Sequence, residues 1–133
     1  MNGYLLDTHS FLWSVFEPGR LSQSVHAELA NAGNIVYVSS VTFWEISLKA
    51  GIGKLTFTNC TADELPEIAD RMGYLPLSLE PNESASFHRL PTTSHKDPFD
   101  RMLIWQAIQR QLIRISKDAA FDEYRSMGLL TFW

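Results

Sequence analysis

The sequence predicts an α/β domain with a central, mainly parallel sheet and helices on both of its faces. Three observations carry this. Short apolar runs alternate with stretches of helical periodicity, the pattern of strand–crossover–strand units. Two of the runs, Tyr4–Leu6 and Ile35–Val38, have the unbroken apolar character of strands covered on both sides. The 133 residues are one domain's worth, with no internal repeat, low-complexity tract or linker, so we expect a single domain over 1–133.

The elements follow in order. Tyr4–Leu6 is a strand that stops at Asp7. Segment 9–16 (HSFLWSVF) is a helix ended before Pro18-Gly19. Ser22 caps a helix over 23–32, with Val25, Leu29 and Ala32 on one face. After the strand at 35–38, Ser39 or Ser40 caps a helix running to about Lys49, with Val41, Trp44 and Leu48 at helical spacing and Gly51 and Gly53 at its exit. Thr61-Ala-Asp-Glu resembles a capping box and opens a helix to about Arg71. Segment 74–79 contains Pro76, so as a strand it belongs at an edge or is interrupted. Pro81 opens a short helix to about Leu90. Asp97-Pro98 opens a helix to about 111, densely apolar at Met102, Leu103, Trp105, Ala107 and Ile108. A strand at 112–116, a short helix near 119–126 and a strand at 129–133 close the chain.

Composition excludes several classes. Hydrophobic residues make up 45% and charged residues 20%, unlike a disordered chain. Cys60 is the only cysteine, which leaves neither an intrachain disulfide nor a cysteine zinc cluster. The N-terminus lacks a basic region and Asp7 interrupts its apolar start, so it does not read as a signal peptide. No apolar run approaches the ~20 residues of a membrane span. A soluble, cytoplasmic protein with no membrane partner is expected. The formal charge of −4 argues, on its face, against gripping nucleic acid by counterion release.

Four acids attract attention through their positions. In open parallel sheets, ligands sit beyond the carboxyl ends of the strands at a topological switch point. Asp7 and Asp118 follow strands, Glu45 lies on the helix after the second strand, and Asp100 lies in the first turn of the helix preceding a later strand. Two carboxylates ~4 Å apart repel by roughly 4 kcal/mol at an effective dielectric of 20, so converging acids either protonate or meet a cation. Oxygen ligands select Mg²⁺ or Mn²⁺, which suits phosphodiester hydrolysis by activated water. Each acid also has a plainer use: Asp7 as a helix cap, Glu45 as a solvated helix charge, Asp97 as the natural cap before Pro98, Asp100 as a complement to the helix dipole, Asp118 as a turn residue. His9 and His95 flank acids without zinc spacing and read as supporting polar groups. Trp13, Trp44 and Trp105 read as core rather than as base-stacking platforms. Arg101, Arg110, Arg114 and Lys117 either face phosphates or solvate a surface.

LLDTHSFLW (5–13), SSVTFWEISLKAGIGKL (39–55), HKDPFDRMLIWQA (95–107) and ISKDAAFDEY (115–124), in this order, resemble the PIN-domain family, and most of all the VapC-type toxins of toxin–antitoxin pairs. The resemblance implies an α/β/α sandwich and a Mg²⁺- or Mn²⁺-dependent endoribonuclease. It places the family's acids at Asp7, Glu45, Asp100 and Asp118, as metal ligands and catalytic groups. Ser116-Lys117 stands where the family usually has a Thr-x pair, which keeps the hydroxyl. Trp105 stands where a small alanine is frequent, bearing on local packing or a dimer surface. The resemblance further implies a VapB-type antitoxin covering the site, a homodimer, and an RNA substrate, often tRNA.

Two rival readings differ in class. A phosphatase using Asp7 as nucleophile would want a second aspartate two residues on, where His9 stands. A non-enzymatic, receiver-like module would want an acidic neighbour to Asp7. A nuclease for RNA processing outside any toxin pair would share the same acids. Metal in an acidic pocket also changes the meaning of the −4, because part of that charge would be neutralised where the substrate binds.

Overall fold

The computed structural model describes residues 2–133, with the side chains of all of these except 119–122. Its sheet has five strands: β1 (Gly3–Leu6), β2 (Ile35–Ser39), β3 (Leu75–Leu77), β4 (Ile113–Ile115) and β5 (Leu130–Phe132). Every pairing is parallel and the order is β3-β2-β1-β4-β5. Chain order runs outward from β1 to β3 on one side and from β4 to β5 on the other. The switch point therefore lies between β1 and β4, the place where parallel sheets open a crevice.

Helices α1 (Thr8–Phe16), α2 (Gln23–Ala30), α3 (Ser40–Gly51), α4 (Leu65–Arg71), α5 (Pro81–Ser86) and α6 (Pro98–Arg110) make the connections. Strand alternation sends Tyr4 and Leu6 to one face and Leu5 to the other. Leu6 and Ile115 pack with Phe11, Val25, Ile46 and Leu65 on the first face. Leu5 packs with Val41, Leu77, Leu103, Ile104 and Trp105 on the second. The α/β/α layering expected from the sequence is the fold observed.

Capping explains where the crossovers begin. Ser22 Oγ accepts the Val25 N–H at 3.0 Å and starts α2. Ser39, one of the two serines expected, accepts the Val41 N–H at 3.0 Å and starts α3. Pro76 sits in β3 at the sheet edge, where its missing N–H costs no central ladder bond.

The structure departs from expectation at several places. The helix expected from Thr61 starts instead as a 3₁₀ turn over Ala62–Glu64, with α4 proper beginning at Leu65. Pro66 falls in the first turn of α4, where proline is tolerated; a helix begun at Thr61 would carry it inside. The Thr61 hydroxyl meets the Glu64 carboxylate at 3.4 Å rather than capping a backbone N–H. The helix from Pro81 ends at Ser86 and continues as a 3₁₀ turn over Phe87–Arg89. Residues Ala119–Met127 are 3₁₀ rather than α. Trp44, expected in the core, is 60% exposed. The buried face of α3 is set by Val41, Thr42, Glu45 and Ile46, which turns Trp44, Leu48 and Ile52 outward. Trp105 is buried as expected, its indole N–H donating to Ser86 Oγ at 3.1 Å, so it serves packing and presents no outer surface.

Candidate active site

Asp7 is fixed by three contacts at the carboxyl end of β1. Its N–H donates to the Ile115 carbonyl at 3.1 Å, tying it to the end of β4. Oδ1 accepts the Ser10 N–H at 2.8 Å and caps α1. Oδ2 lies 3.5 Å from Nη2 of Arg114, whose side chain is almost wholly buried. Capping, one of the alternatives in sequence, is met by Oδ1, while Oδ2 is turned toward Arg114.

Glu45 is buried rather than solvated. The Thr8 hydroxyl donates to Oε1 at 2.6 Å, and Lys49, one helical turn on, pairs with Oε2. Burial by itself would lower the Lys49 ammonium, but the bond to Glu45 and the charges of Glu45, Asp97 and Asp100 outweigh it and raise its pKa. Asp97 caps α6, accepting the N–H groups of Phe99 at 2.8 Å and Asp100 at 3.2 Å. Asp100 Oδ2 lies 3.3 Å from His95 Nε2. Burial raises the Asp100 carboxyl; Asp97 and Glu45 raise it further, and Arg114 and the His95 contact recover only part. Asp118 is exposed just beyond β4, its N–H donating to Ser116 Oγ at 3.1 Å. The serine standing in place of threonine therefore holds the backbone at Asp118.

The acids form two groups sharing one member. Arg114 interacts electrostatically with Asp7, Asp100 and Asp118. Lys49 does so with Glu45, Asp97 and Asp100. All four sequence candidates are thus brought to one edge, with Asp97 beside them. They are not gathered into a ready cage: among the described residues, no three histidine, cysteine or acidic side chains form a group able to hold a metal ion.

Beside the acids lies an open cavity of about 300 Å³ lined by Asp7, His9, Trp13, Lys117 and Asp118. His9 and Trp13 stand ring to ring at 5.9 Å, and Arg20 covers Trp13 at 4.7 Å.

The basic residues divide more sharply than in sequence. Arg110 is bound to Glu83 at 2.8 Å and to the Ser78 carbonyl at 3.1 Å. Arg101 donates to the carbonyls of Leu90 and Pro91 and lies over Phe87. Arg114 is buried. Lys117 alone of the four lines the cavity. Sequence reasoning missed Thr8, Lys49 and the burial of Arg114. The i,i+4 spacing of Glu45 and Lys49 was a usable signal, and so was an arginine inside an apolar strand.

A family model described as "PIN domain" matches residues 4–126. Ribonuclease VapC22 of Mycobacterium tuberculosis (strain ATCC 25618 / H37Rv) is 24% identical over 133 residues, spanning all of both chains. In VapBC2 from Rickettsia felis, solved bound to a DNA fragment from its promoter, one chain superposes with a TM-score of 0.70 at 16% identity, covering 98% of each chain. One chain of DNA-bound VapBC from Salmonella typhimurium superposes at 0.64, also at 16% identity, over 99% of this chain and 98% of that one. These structural likenesses are likenesses of fold.

Proposed function

The chain belongs to the PIN-domain family, and from that premise we propose that it is an endoribonuclease of the VapC toxin type, hydrolysing RNA phosphodiester bonds with Mg²⁺ or Mn²⁺. The observation that carries the reading is geometric: Asp7 at the end of β1 and Asp118 just beyond β4 line one cavity at the β1/β4 switch point, over a buried arginine that also interacts with Asp100. Asp7, Glu45, Asp97, Asp100 and Asp118 outnumber Lys49 and Arg114 there, an excess of negative charge that a cation would relieve.

The donor set fits such an ion. Carboxylate oxygens are hard ligands, and Mg²⁺ keeps several waters while taking one or two protein carboxylates, so it needs no closed cage. Asp7 and Asp100 would be the main ligands, with Glu45 and Asp118 completing the site. Once bound, the ion would polarise the phosphodiester and make water a better nucleophile at neutral pH.

The chain's own groups position the rest. Ser10 N–H fixes the Asp7 carboxylate and leaves its second oxygen toward the site. Thr8 and Lys49 hold the Glu45 carboxylate in one orientation. The cavity beside Asp7 and Asp118 is large enough for one unstacked nucleotide, with His9 and Trp13 as its aromatic wall and Lys117 as a phosphate contact.

A VapB-type antitoxin and a homodimeric toxin belong to the same reading. The exposed stripe Trp44, Leu48 and Ile52 on α3 supports an apolar protein partner. No helix among the described residues is long and apolar enough to cross a membrane.

The test is Asp7→Asn. Asparagine still caps α1, so the fold and its circular dichroism should be kept while RNA cleavage and growth arrest are abolished. Full toxicity in that variant would sink the mechanism.

A further inference from the structure

Arg114 is a buried charge that the reaction above does not use. It occupies the middle of β4, paired in register with Leu5 of β1 and Thr131 of β5. Ile113 and Ile115 alternate with it, and Ile115 joins the core under Phe11. Arg114 therefore points with Leu5 toward α6 and the second core. An aliphatic side chain would suit that place, and replacing a whole buried ion pair by apolar groups is often neutral or stabilising, so stability alone does not call for a charge there. A buried guanidinium calls for another reason, and the direction of its side chain supplies one: it runs beneath the site and reaches Asp7 Oδ2 at 3.5 Å.

Resting on the metal-nuclease reading, we propose that Arg114 is a resident counter-ion of the acidic site, which holds the carboxylates together before metal arrives and keeps divalent-ion affinity low in the RNA-free protein. Its charge acts on Asp7, Asp100 and Asp118, the acids that frame the β1/β4 crevice. Five acids face this arginine and Lys49, leaving three negative charges in excess instead of the four that Lys49 alone would leave. An entering cation meets a site already partly neutralised, and must share Asp7 with the guanidinium. Arg114 is thus a positioning residue, acting on RNA only through the carboxylates.

The test compares Arg114→Met, which keeps length and apolar bulk, with Arg114→Lys, which keeps the charge. Mn²⁺ binding is read by calorimetry and melting temperature is followed with and without Mn²⁺. We expect Arg114→Met to bind Mn²⁺ tighter by on the order of tenfold, to melt lower than wild type without metal, and to gain more from Mn²⁺ than wild type does. Arg114→Lys should return all three toward wild type. Should Arg114→Met fail to fold, the unaltered protein serves: the Arg114 Nε–H resonance should shift on Mg²⁺ addition, saturating with the binding isotherm. Equal Mn²⁺ affinity in wild type and a folded Arg114→Met, or an Arg114 resonance indifferent to Mg²⁺, overturns the counter-ion role and leaves the nuclease reading standing. Wild type that binds neither ion overturns both.

Discussion

At Glu45 a buried carboxylate depends on two donors of different kinds, the Thr8 hydroxyl and the Lys49 ammonium. Thr8 is itself buried, 3.5 Å from the Thr42 hydroxyl, so replacing it with valine keeps the shape and removes one donor. A buried acceptor stripped of a partner costs about 1–3 kcal/mol. Thr8→Val should lose stability in that range by urea unfolding. It should also lower kcat for RNA cleavage while leaving KM near wild type, since Thr8 reaches the reaction only through Glu45. An unchanged kcat would remove Glu45 orientation from the mechanism. Single residues differ in how far the sequence exposes them. Asp7 and Asp97 are legible because strand ends and Asp-Pro helix starts are local events. Arg114 is not, because its role depends on which face of β4 the acids overhang. Trp44 is not, because α3 carries apolar residues on two faces and only packing decides which is covered.

Between residue and fold, one polar network ties the end of the sheet to two helices. Ser39 donates to Gln106 at 2.5 Å; Gln106 donates to Glu83 at 3.1 Å and to the Ser78 carbonyl; Arg110 closes the network on Glu83 and Ser78. Four elements or their ends are joined there: β2, the segment after β3, α5 and α6. Burial would raise the Glu83 carboxyl, but bonds from Arg110, the Glu80 N–H and Gln106 outweigh it and hold it below its ordinary value of 4.5. A carboxyl lowered on folding stabilises the protein above its unfolded value, and that contribution fades as pH falls through the folded one. Wild type should therefore lose stability as pH drops from about 4.5 downward. Glu83→Gln should lose roughly 2 kcal/mol at pH 7 and show a flatter profile over the acid range. Equal acid slopes in the two proteins would place the sensitivity elsewhere. At this scale the sequence is informative wherever punctuation is local, as with Pro76 at the sheet edge and the serine caps. It fails at α4, where Pro66 decides the start from inside the pattern that suggested Thr61.

For the molecule as a whole, the charge of −4 bears on how RNA is held rather than on whether it is held. Acids cluster at the β1/β4 crevice, and most of the nearby arginines are committed within the fold: Arg110 to Glu83, Arg101 to backbone carbonyls, Arg114 beneath the site. What remains toward the cavity is Lys117, with Arg20 over the Trp13 wall and the exposed Lys96 next to His95. Each phosphate contact to single-stranded nucleic acid contributes about −0.7 to the slope of log affinity against log salt. Two or three contacts give a slope of about −1.4 to −2.1, shallow for an RNA-binding protein. This can be measured by fluorescence anisotropy with the Asp7→Asn protein, which should bind RNA without cutting it, across a series of KCl concentrations free of divalent salt. Lys117→Ala in that background should make the slope shallower by about 0.7 and weaken binding similarly for RNAs of different sequence. A slope steeper than about −3 would require four or more phosphate contacts. That would put the substrate on a broad basic surface away from the crevice and separate RNA binding from the acids proposed to cut it.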